Sequence, residues 1–191
     1  MILEELQHFL RKREDAAITL LERLVQQNSF TENREGGAVV SEMLAAELQS
    51  IAGISSVRMI PSDRFAPHLV ATTASSGSDV VALVGHLDTV FPPGTFEGFR
   101  RDGVLLRGPG VLDMKGGLVV ILEALRALSH VGMLSSLSVR LVIVSDEEVG
   151  SPEGRSVIER ELQGARAALS QDRTGRRGRP ATLVSAVGYK R

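Results

Sequence analysis

The sequence predicts an α/β fold in which strands and helices alternate along the chain. Residues 80–84 form a continuous apolar, β-branched run, typical of a strand buried on both faces of a sheet. Residues 137–144 form a second, mostly apolar run that is also a candidate for a buried strand. A helical pattern at 114–129 lies between the two runs, which indicates a parallel βαβ unit. Acidic or imidazole side chains directly follow both predicted strands.

The chain ahead of these strands is predicted to be scaffold. A leucine stripe with charged residues between its members recurs at helical spacing over residues 2–27, which predicts one amphipathic helix with its stripe facing the core. Residues 28–33 form a loop with several candidate N-caps for a second helix at about 37–50. Short strands are predicted at 56–60 and 68–73.

The later elements include one loop with two possible roles. Residues 91–99 are punctuated by proline and glycine and carry three phenylalanines. These rings could wall a substrate pocket or anchor the loop to the core, and the pattern does not choose between the two. A short strand is predicted at 103–107. Beyond the second buried strand, Ser151 is predicted to cap the next helix and Pro152 to occupy its first position.

His86 and Asp88 lie just past the carboxyl end of the first buried strand. In open α/β sheets ligands bind beyond these strand ends, so the pair should face a site. The imidazole of His86 could bind a metal, while Asp88 could accept the other ring N–H and hold its tautomer. A strand-end histidine capped by a turn aspartate is the alternative for this pair alone. His68, alone at a strand start, is predicted to be structural.

Acidic residues crowd the end of the second buried strand, at Asp146, Glu147 and Glu148. Like charges this close raise one another's pKa and repel unless a cation neutralises them or one of them is protonated, and a divalent ion would meet this need. Between the strands, four glycines flank Asp113, which predicts a backbone that turns sharply before a helix. This loop lacks the third glycine of a dinucleotide fingerprint and the Gly-Lys-Ser/Thr of a phosphate loop.

Together, the motifs resemble the dinuclear zinc metallopeptidase and aminoacylase family, which includes glutamate carboxypeptidase, acetylornithine deacetylase and succinyl-diaminopimelate desuccinylase. Residues 80–154 carry the resemblance. It implies a three-layer α/β/α catalytic domain of the zinc-exopeptidase type that holds two divalent ions, with zinc preferred and cobalt or manganese as alternatives. It also implies hydrolysis of an amide bond in a small peptide or N-acyl amino acid. The loop at 108–117 looks most like the glutamate carboxypeptidase branch.

The resemblance implies a role for each motif residue. His86 would bind the first metal, and Asp88 would orient the imidazole of His86. Asp113 would bridge both metals. Glu147 would be the general base, with a pKa raised toward neutrality by its crowded position. Glu148 would bind the second metal.

The remaining ligands of this family lie farther along the chain. Asp172, roughly two dozen residues beyond Glu148, has the spacing expected of a further carboxylate ligand to the first metal. A final histidine ligand is expected much later, and no histidine follows His130. Residues 181–191 resemble the start of the strand that leads into an inserted dimerisation domain. Residues 1–180 would then be the N-terminal part of the catalytic domain of a longer, homodimeric enzyme.

Composition limits the classes of partner and compartment. The 191 residues include 22 basic and 23 acidic side chains, so net charge favours neither nucleic acid nor a membrane surface. The absence of cysteine excludes a disulfide framework and a thiolate zinc site. No signal-peptide pattern or bilayer-length apolar stretch occurs, so we expect a cytoplasmic protein. The alternative to an active hydrolase is an inactive fragment or a metal-binding interaction module derived from one.

Overall fold

The computed structural model describes residues 1–75 and 79–170, together with the backbone of residues 183–185. Within these ranges the helices are α1 (Ile2–Lys12), α2 (Glu14–Gln26), α3 (Arg34–Gln49), α4 (Lys115–His130) and α5 (Gly154–Glu161). The strands are β1 (Ile54–Ile60), β2 (His68–Thr73), β3 (Val80–His86), β4 (Arg100–Asp102), β5 (Leu105–Arg107), β6 (Val139–Val144), β7 (Ala165–Ser170) and β8 (Leu183–Ser185). Asp172 lies outside the described residues.

Six of the strands form one mixed sheet in the order β1-β2-β6-β3-β7-β8. Strand β3 pairs in parallel with both β6 and β7, whereas β1, β2 and β8 pair antiparallel with their neighbours. The predicted βαβ unit is therefore confirmed as β3, α4 and β6. In the β3 and β6 register, His86 is opposite Val144. This places the residues that follow the two strands at the same edge of the sheet.

The sheet is covered on both faces at β6, as its apolar residues predicted. Leu141 and Ile143 of β6 belong to the larger core, which includes buried residues of α2, α3 and α4. Val142 and Val144 point to the opposite face and pack in a smaller core with Val157 of α5. Because neighbouring residues of one strand contact different helices, the fold has three layers, α/β/α, and the predicted fold class is confirmed.

The prediction of one helix over residues 2–27 was wrong. The chain forms α1 and α2, with Arg13 between them, and none of the side chains of α1 is buried. Only the α2 part of the leucine stripe faces the core. Arg13 is the residue at which α1 ends. Its guanidinium forms an ion pair with Glu123 of α4, with Nε 2.5 Å from Oε2. Helix α1 therefore packs on the outside of the helical layer.

Three other boundaries differ from the sequence prediction or are only partly tested. Helix α3 begins near residue 34, earlier than expected, because the side chain of Asn33 accepts the N–H of Gly36 at 3.0 Å. The single strand expected at 103–107 is one arm of a separate hairpin formed by β4 and β5. The described part of residues 181–191 is β8, and the predicted domain division remains a prediction.

None of the described helices has the length and apolar character needed to cross a bilayer.

Candidate metal centre

Three chain segments meet at the carboxyl edge of β3 and β6. His86 Nε2 lies 3.1 Å from Asp113 Oδ1 and 3.8 Å from Glu147 Oε2. Ligand atoms of His86, Asp113 and Glu148 all lie within 4.8 Å of one another. One imidazole and two carboxylates from separate segments thus converge on one point. This convergence is the candidate metal centre.

Asp88 connects two of these segments, its own and that of Glu147 and Glu148. Its side chain is 1% exposed, and its Oδ1 lies 3.2 Å from His86 Nδ1. Asp88 also accepts the backbone N–H groups of Glu147, at 3.2 Å, and Glu148, at 3.1 Å. Nδ1 of the imidazole therefore faces the carboxylate and also, at 3.1 Å, the backbone carbonyl oxygen of Asp88, and Nε2 is directed toward the convergence point. This is the arrangement that a histidine ligand and its orienting carboxylate require.

His86 is buried between two carboxylates, which decides its charge. Burial alone would lower the pKa of His86, but hydrogen bonds to Asp113 and Asp88 outweigh it and raise the pKa to about 10. Burial likewise opposes the charge of Asp88, and the bonds from His86 and Thr31 reverse this effect and lower the pKa of Asp88. The pocket thus stabilises positive charge at the position of the imidazole.

Glu148 experiences the opposite balance. Burial raises its pKa to about 7, and the nearby charges of Asp113, Asp88 and Glu147 act in the same direction despite the opposing effect of His86. A carboxylate in this position is costly unless a proton or another cation neutralises it. Imidazole and carboxylate donors suit zinc, manganese or cobalt. The donor set and its electrostatics therefore fit a divalent ion.

The glycine-rich loop brings Asp113 to this point. Gly110 has a positive φ of 76°, a conformation that side chains with a Cβ disfavour. A Cβ on Gly116 would lie 2.2 Å from the carbonyl oxygen of Val111, so only glycine permits this approach at the first turn of α4. Next to Asp113, the sulfur of Met114 accepts the backbone N–H of His86 at 3.2 Å. The predicted sharp turn ahead of a helix is therefore present.

Asp146 does not belong to the metal centre, although it lies in the acidic run. Its side chain is fully buried, and Oδ2 accepts the backbone N–H groups of Glu153 and Gly154 at 2.8 and 2.9 Å. It therefore caps the N-terminus of α5. The prediction that Ser151 and Pro152 open this helix was wrong, because α5 begins at Gly154 and its N-terminal N–H groups bind an acid from the preceding strand end.

Lys115 is a structural residue that no sequence pattern indicated. It is fully buried, and its Nζ donates to the carbonyl oxygens of Leu24 and Gln27, both at 2.8 Å. Burial lowers the pKa of Lys115 to about 7.

His68 is also buried. Burial lowers its pKa, and its Nδ1 accepts the N–H of Ser145 at 3.2 Å. That contact agrees with a structural role for His68.

The phenylalanine loop is anchored through one ring and exposes another, and its role as the wall of a substrate pocket stays a prediction. Phe99 packs against the larger core and anchors the loop. Phe91 and Phe96 meet edge to face, with ring centroids 5.0 Å apart, and Phe96 remains exposed. The loop thus presents apolar surface on the chain segment that follows Asp88.

Comparison with known proteins agrees with this geometry. The model of Peptidase family M20/M25/M40 matches residues 82–183, more than half of the chain and including every segment of the metal centre. The chain belongs to this family. The family expected from the motifs is therefore confirmed.

Relatives in this peptidase family are longer than the chain. Carboxypeptidase G2 of Pseudomonas sp. strain RS-16 is 30% identical over 181 residues, which is 91% of this chain and 43% of that protein. Succinyl-diaminopimelate desuccinylase of Gluconacetobacter diazotrophicus is 32% identical over 139 residues, or 69% of this chain and 35% of the relative. The chain thus spans less than half the length of these relatives.

A solved structure supports the fold independently of sequence. The dipeptidase Dug1p from Saccharomyces cerevisiae superposes with a TM-score of 0.77 at 17% identity, covering 89% of this chain and 41% of that one. At this identity the likeness concerns the fold alone. It agrees with the three-layer arrangement described above.

Proposed function

We propose that this chain is the metal-binding part of a hydrolase that cuts amide bonds, of the carboxypeptidase or N-acyl-amino-acid deacylase type. The observation that carries the proposal is the convergence of His86, Asp113 and Glu148, with the carboxylate of Glu147 beside them. The names of its relatives, a carboxypeptidase and a desuccinylase, favour this class of reaction. An apolar loop after Asp88 offers a surface for an organic substrate.

The residues present fit a pair of divalent ions, for which zinc is our choice. His86 would bind through Nε2, Asp113 would bridge, Glu148 would bind the second ion, and Asp172 is proposed as a further ligand. When bound, such ions would polarise the scissile carbonyl and lower the pKa of the attacking water toward neutrality. Asp88 would keep His86 in the tautomer that presents Nε2.

Glu147 is proposed as the general base. Its side chain is 42% exposed, so it can meet a substrate, and its Oε2 lies 3.8 Å from Nε2 of His86. Its backbone N–H is held by Asp88, which fixes the start of the side chain. The carboxylate of Glu147 would accept the proton of the attacking water and deliver it to the leaving amine.

The substrate and assembly of the whole protein are also proposals. The loop at 108–117 and the similarity to carboxypeptidase G2 favour removal of a C-terminal glutamate, among small peptides and N-acyl amino acids as the wider class. We further propose that residues 181–191 lead into a dimerisation domain and that the full-length protein is a homodimer. No role in binding nucleic acid or a membrane is proposed, since the charge is balanced.

The test combines metal content and turnover on one sample. We expect the purified chain to retain zinc after dialysis, measured by elemental analysis, and to hydrolyse N-acyl amino acids or a dipeptide ending in glutamate. His86→Ala should lose the metal, while His68→Gln, at a histidine away from the convergence point, should keep it. A chain that takes up no metal would overturn the proposal. Metal without turnover would favour the non-catalytic metal-binding module instead.

A further inference from the structure

The α2–α3 loop, residues 27–33, runs beside the segment that carries the metal-centre residues of β3. The hydroxyl of Ser29 donates to the carbonyl oxygen of Leu87 at 2.7 Å, and the N–H of Thr89 donates to the carbonyl of Ser29 at 3.0 Å. The N–H of Thr31 then donates to the carbonyl of Thr89 at 3.2 Å. The loop therefore pairs with residues 87–89 much as a short extra strand would.

Thr31 adds a side-chain contact to this pairing. Its Oγ1 donates to Asp88 Oδ2 at 2.8 Å, and both residues are almost fully buried. The other polar contacts described for this carboxylate are the hydrogen bonds from the backbone N–H groups of Glu147 and Glu148 and the 3.2 Å contact with Nδ1 of His86, which also lies 3.1 Å from the backbone carbonyl of Asp88. These residues belong to the candidate centre itself. Among the described residues, Thr31 is thus the donor that reaches Asp88 from outside the centre.

The far end of the same loop is fixed by α4. Nζ of Lys115 binds the carbonyl oxygens of Leu24 and Gln27, where α2 ends and the loop begins. A cation at the C-terminus of a helix is favoured by the helix dipole. Because Lys115 lies two residues after Asp113, the α2–α3 loop is connected to both the Asp113 segment and the His86 segment.

We propose that Thr31 is a positioning residue for the metal centre. Its hydroxyl holds the carboxylate plane of Asp88 so that Oδ1 faces Nδ1 of His86, and the imidazole then presents Nε2 toward Asp113 and Glu148. The terminal torsion of an aspartate is broad, so a carboxylate that loses a donor from one oxygen can rotate. This inference rests on the proposed metal site.

Three variants separate positioning from packing. Thr31→Val removes the hydroxyl and keeps the side-chain shape, whereas Thr31→Ser keeps the hydroxyl. Thr31→Ala removes the hydroxyl without a β-branched group and serves if valine does not fold. The matched control is Ser29→Ala, which deletes a buried hydroxyl of the same loop that binds the backbone of Leu87 and not Asp88.

The readouts are the dissociation constant for Zn²⁺, from competition with a chromophoric chelator, and urea unfolding in excess chelator. Zinc alone is the probe, so no substrate is needed. We expect Thr31→Val and Thr31→Ala to weaken zinc binding about tenfold or more, as is typical when a group that orients a ligand is lost. Thr31→Ser and Ser29→Ala should remain within about threefold of wild type. Ser29→Ala should nevertheless lower the stability of the metal-free chain.

Each other outcome counts against the proposal. Zinc binding by Thr31→Val at wild-type strength would overturn positioning and leave the proposed metal site standing. Equal weakening by Thr31→Val and Ser29→Ala would show that the loop contributes packing alone. A wild-type chain that binds no zinc would overturn this inference together with the proposed function.

Discussion

Replacing Asp146 by alanine should destabilise the fold without removing a metal ligand. Asp146 is fully buried, and its Oδ2 accepts the N–H groups of Glu153 and Gly154 at 2.8 and 2.9 Å. These are among the first N–H groups of α5, which have no acceptor within the helix itself. The alanine variant removes their acceptor and also the negative charge that the helix N-terminus favours.

The magnitude follows from these two contacts. Loss of a side-chain N-cap costs roughly 0.5–2 kcal/mol. Buried donors left without an acceptor cost about 1–3 kcal/mol each, although these two costs overlap and an entering water can reduce them. We therefore expect Asp146→Ala to lower the free energy of unfolding by about 2–4 kcal/mol. For a chain of this length that corresponds to a fall in melting temperature of roughly 5–15 °C.

The assay pairs urea unfolding in chelator with zinc competition, and Glu148→Gln is the control. Asp146→Ala should lower stability and leave zinc affinity nearly unchanged. Glu148→Gln should weaken zinc binding, because its side chain supplies a ligand atom. It should not lower the stability of the metal-free chain, because the charge of Glu148 is disfavoured by burial and by neighbouring carboxylates. If Asp146→Ala weakened zinc binding and left the unfolding curve in place, the assignment of Asp146 as a helix cap would be refuted.

Three further substitutions test other parts of the structure. Glu147→Gln should retain zinc and lower kcat by roughly 10²–10⁴-fold, as expected for a lost general base, and substantial residual turnover at full zinc content would remove it from that role. Glu123→Gln should destabilise at neutral pH by about 1–3 kcal/mol in urea unfolding, because Glu123 loses charged partners such as Arg13. Burial alone would raise the pKa of Glu123, but these partners outweigh it and lower the pKa. The stability that the charge of Glu123 contributes is therefore fully present above the ordinary pKa of glutamate and is lost as the pH falls through the lowered pKa. The wild-type advantage should therefore shrink below about pH 4, and a constant difference would contradict the assignment. Lys115→Met should cost about 2–4 kcal/mol in the same assay because two carbonyl oxygens lose their donor, and a change below about 0.5 kcal/mol would show that water replaces the ammonium.

The edge of the sheet that holds the site could be predicted because its signals are local. Residues 80–84 and 141–144 are apolar without alternation, which indicates strands covered on both faces. A helix between two such strands leaves few arrangements other than adjacent and parallel. The residues after both strands, including His86 and Glu148, therefore had to meet. Glycines around Asp113 indicated the third segment for a similar reason, because a backbone with positive φ is encoded locally.

The division of residues 2–27 into two helices could not be predicted in this way. The leucine stripe is continuous across Arg13, and Arg13 itself adopts φ and ψ near the helical region. The helix is interrupted at Arg13, which pairs with Glu123, a partner 110 residues away in the sequence. Which part of an amphipathic stripe becomes buried depends on what packs against it, and the stripe alone does not contain that information.

The acidic run contains a local signal that separates Asp146 from Glu147 and Glu148. Val142 and Val144 face α5, and alternation continues this direction to Asp146, which the same helix covers. Its charge is therefore compensated by the N-terminus of α5 rather than by an ion. Repulsion at the site comes from the carboxylates that remain, Glu147 and Glu148 from this strand end together with Asp113 and Asp88. The argument for a divalent cation thus stands without Asp146, and three of the acids that carry it, Asp113, Glu147 and Glu148, surround Nε2 of His86.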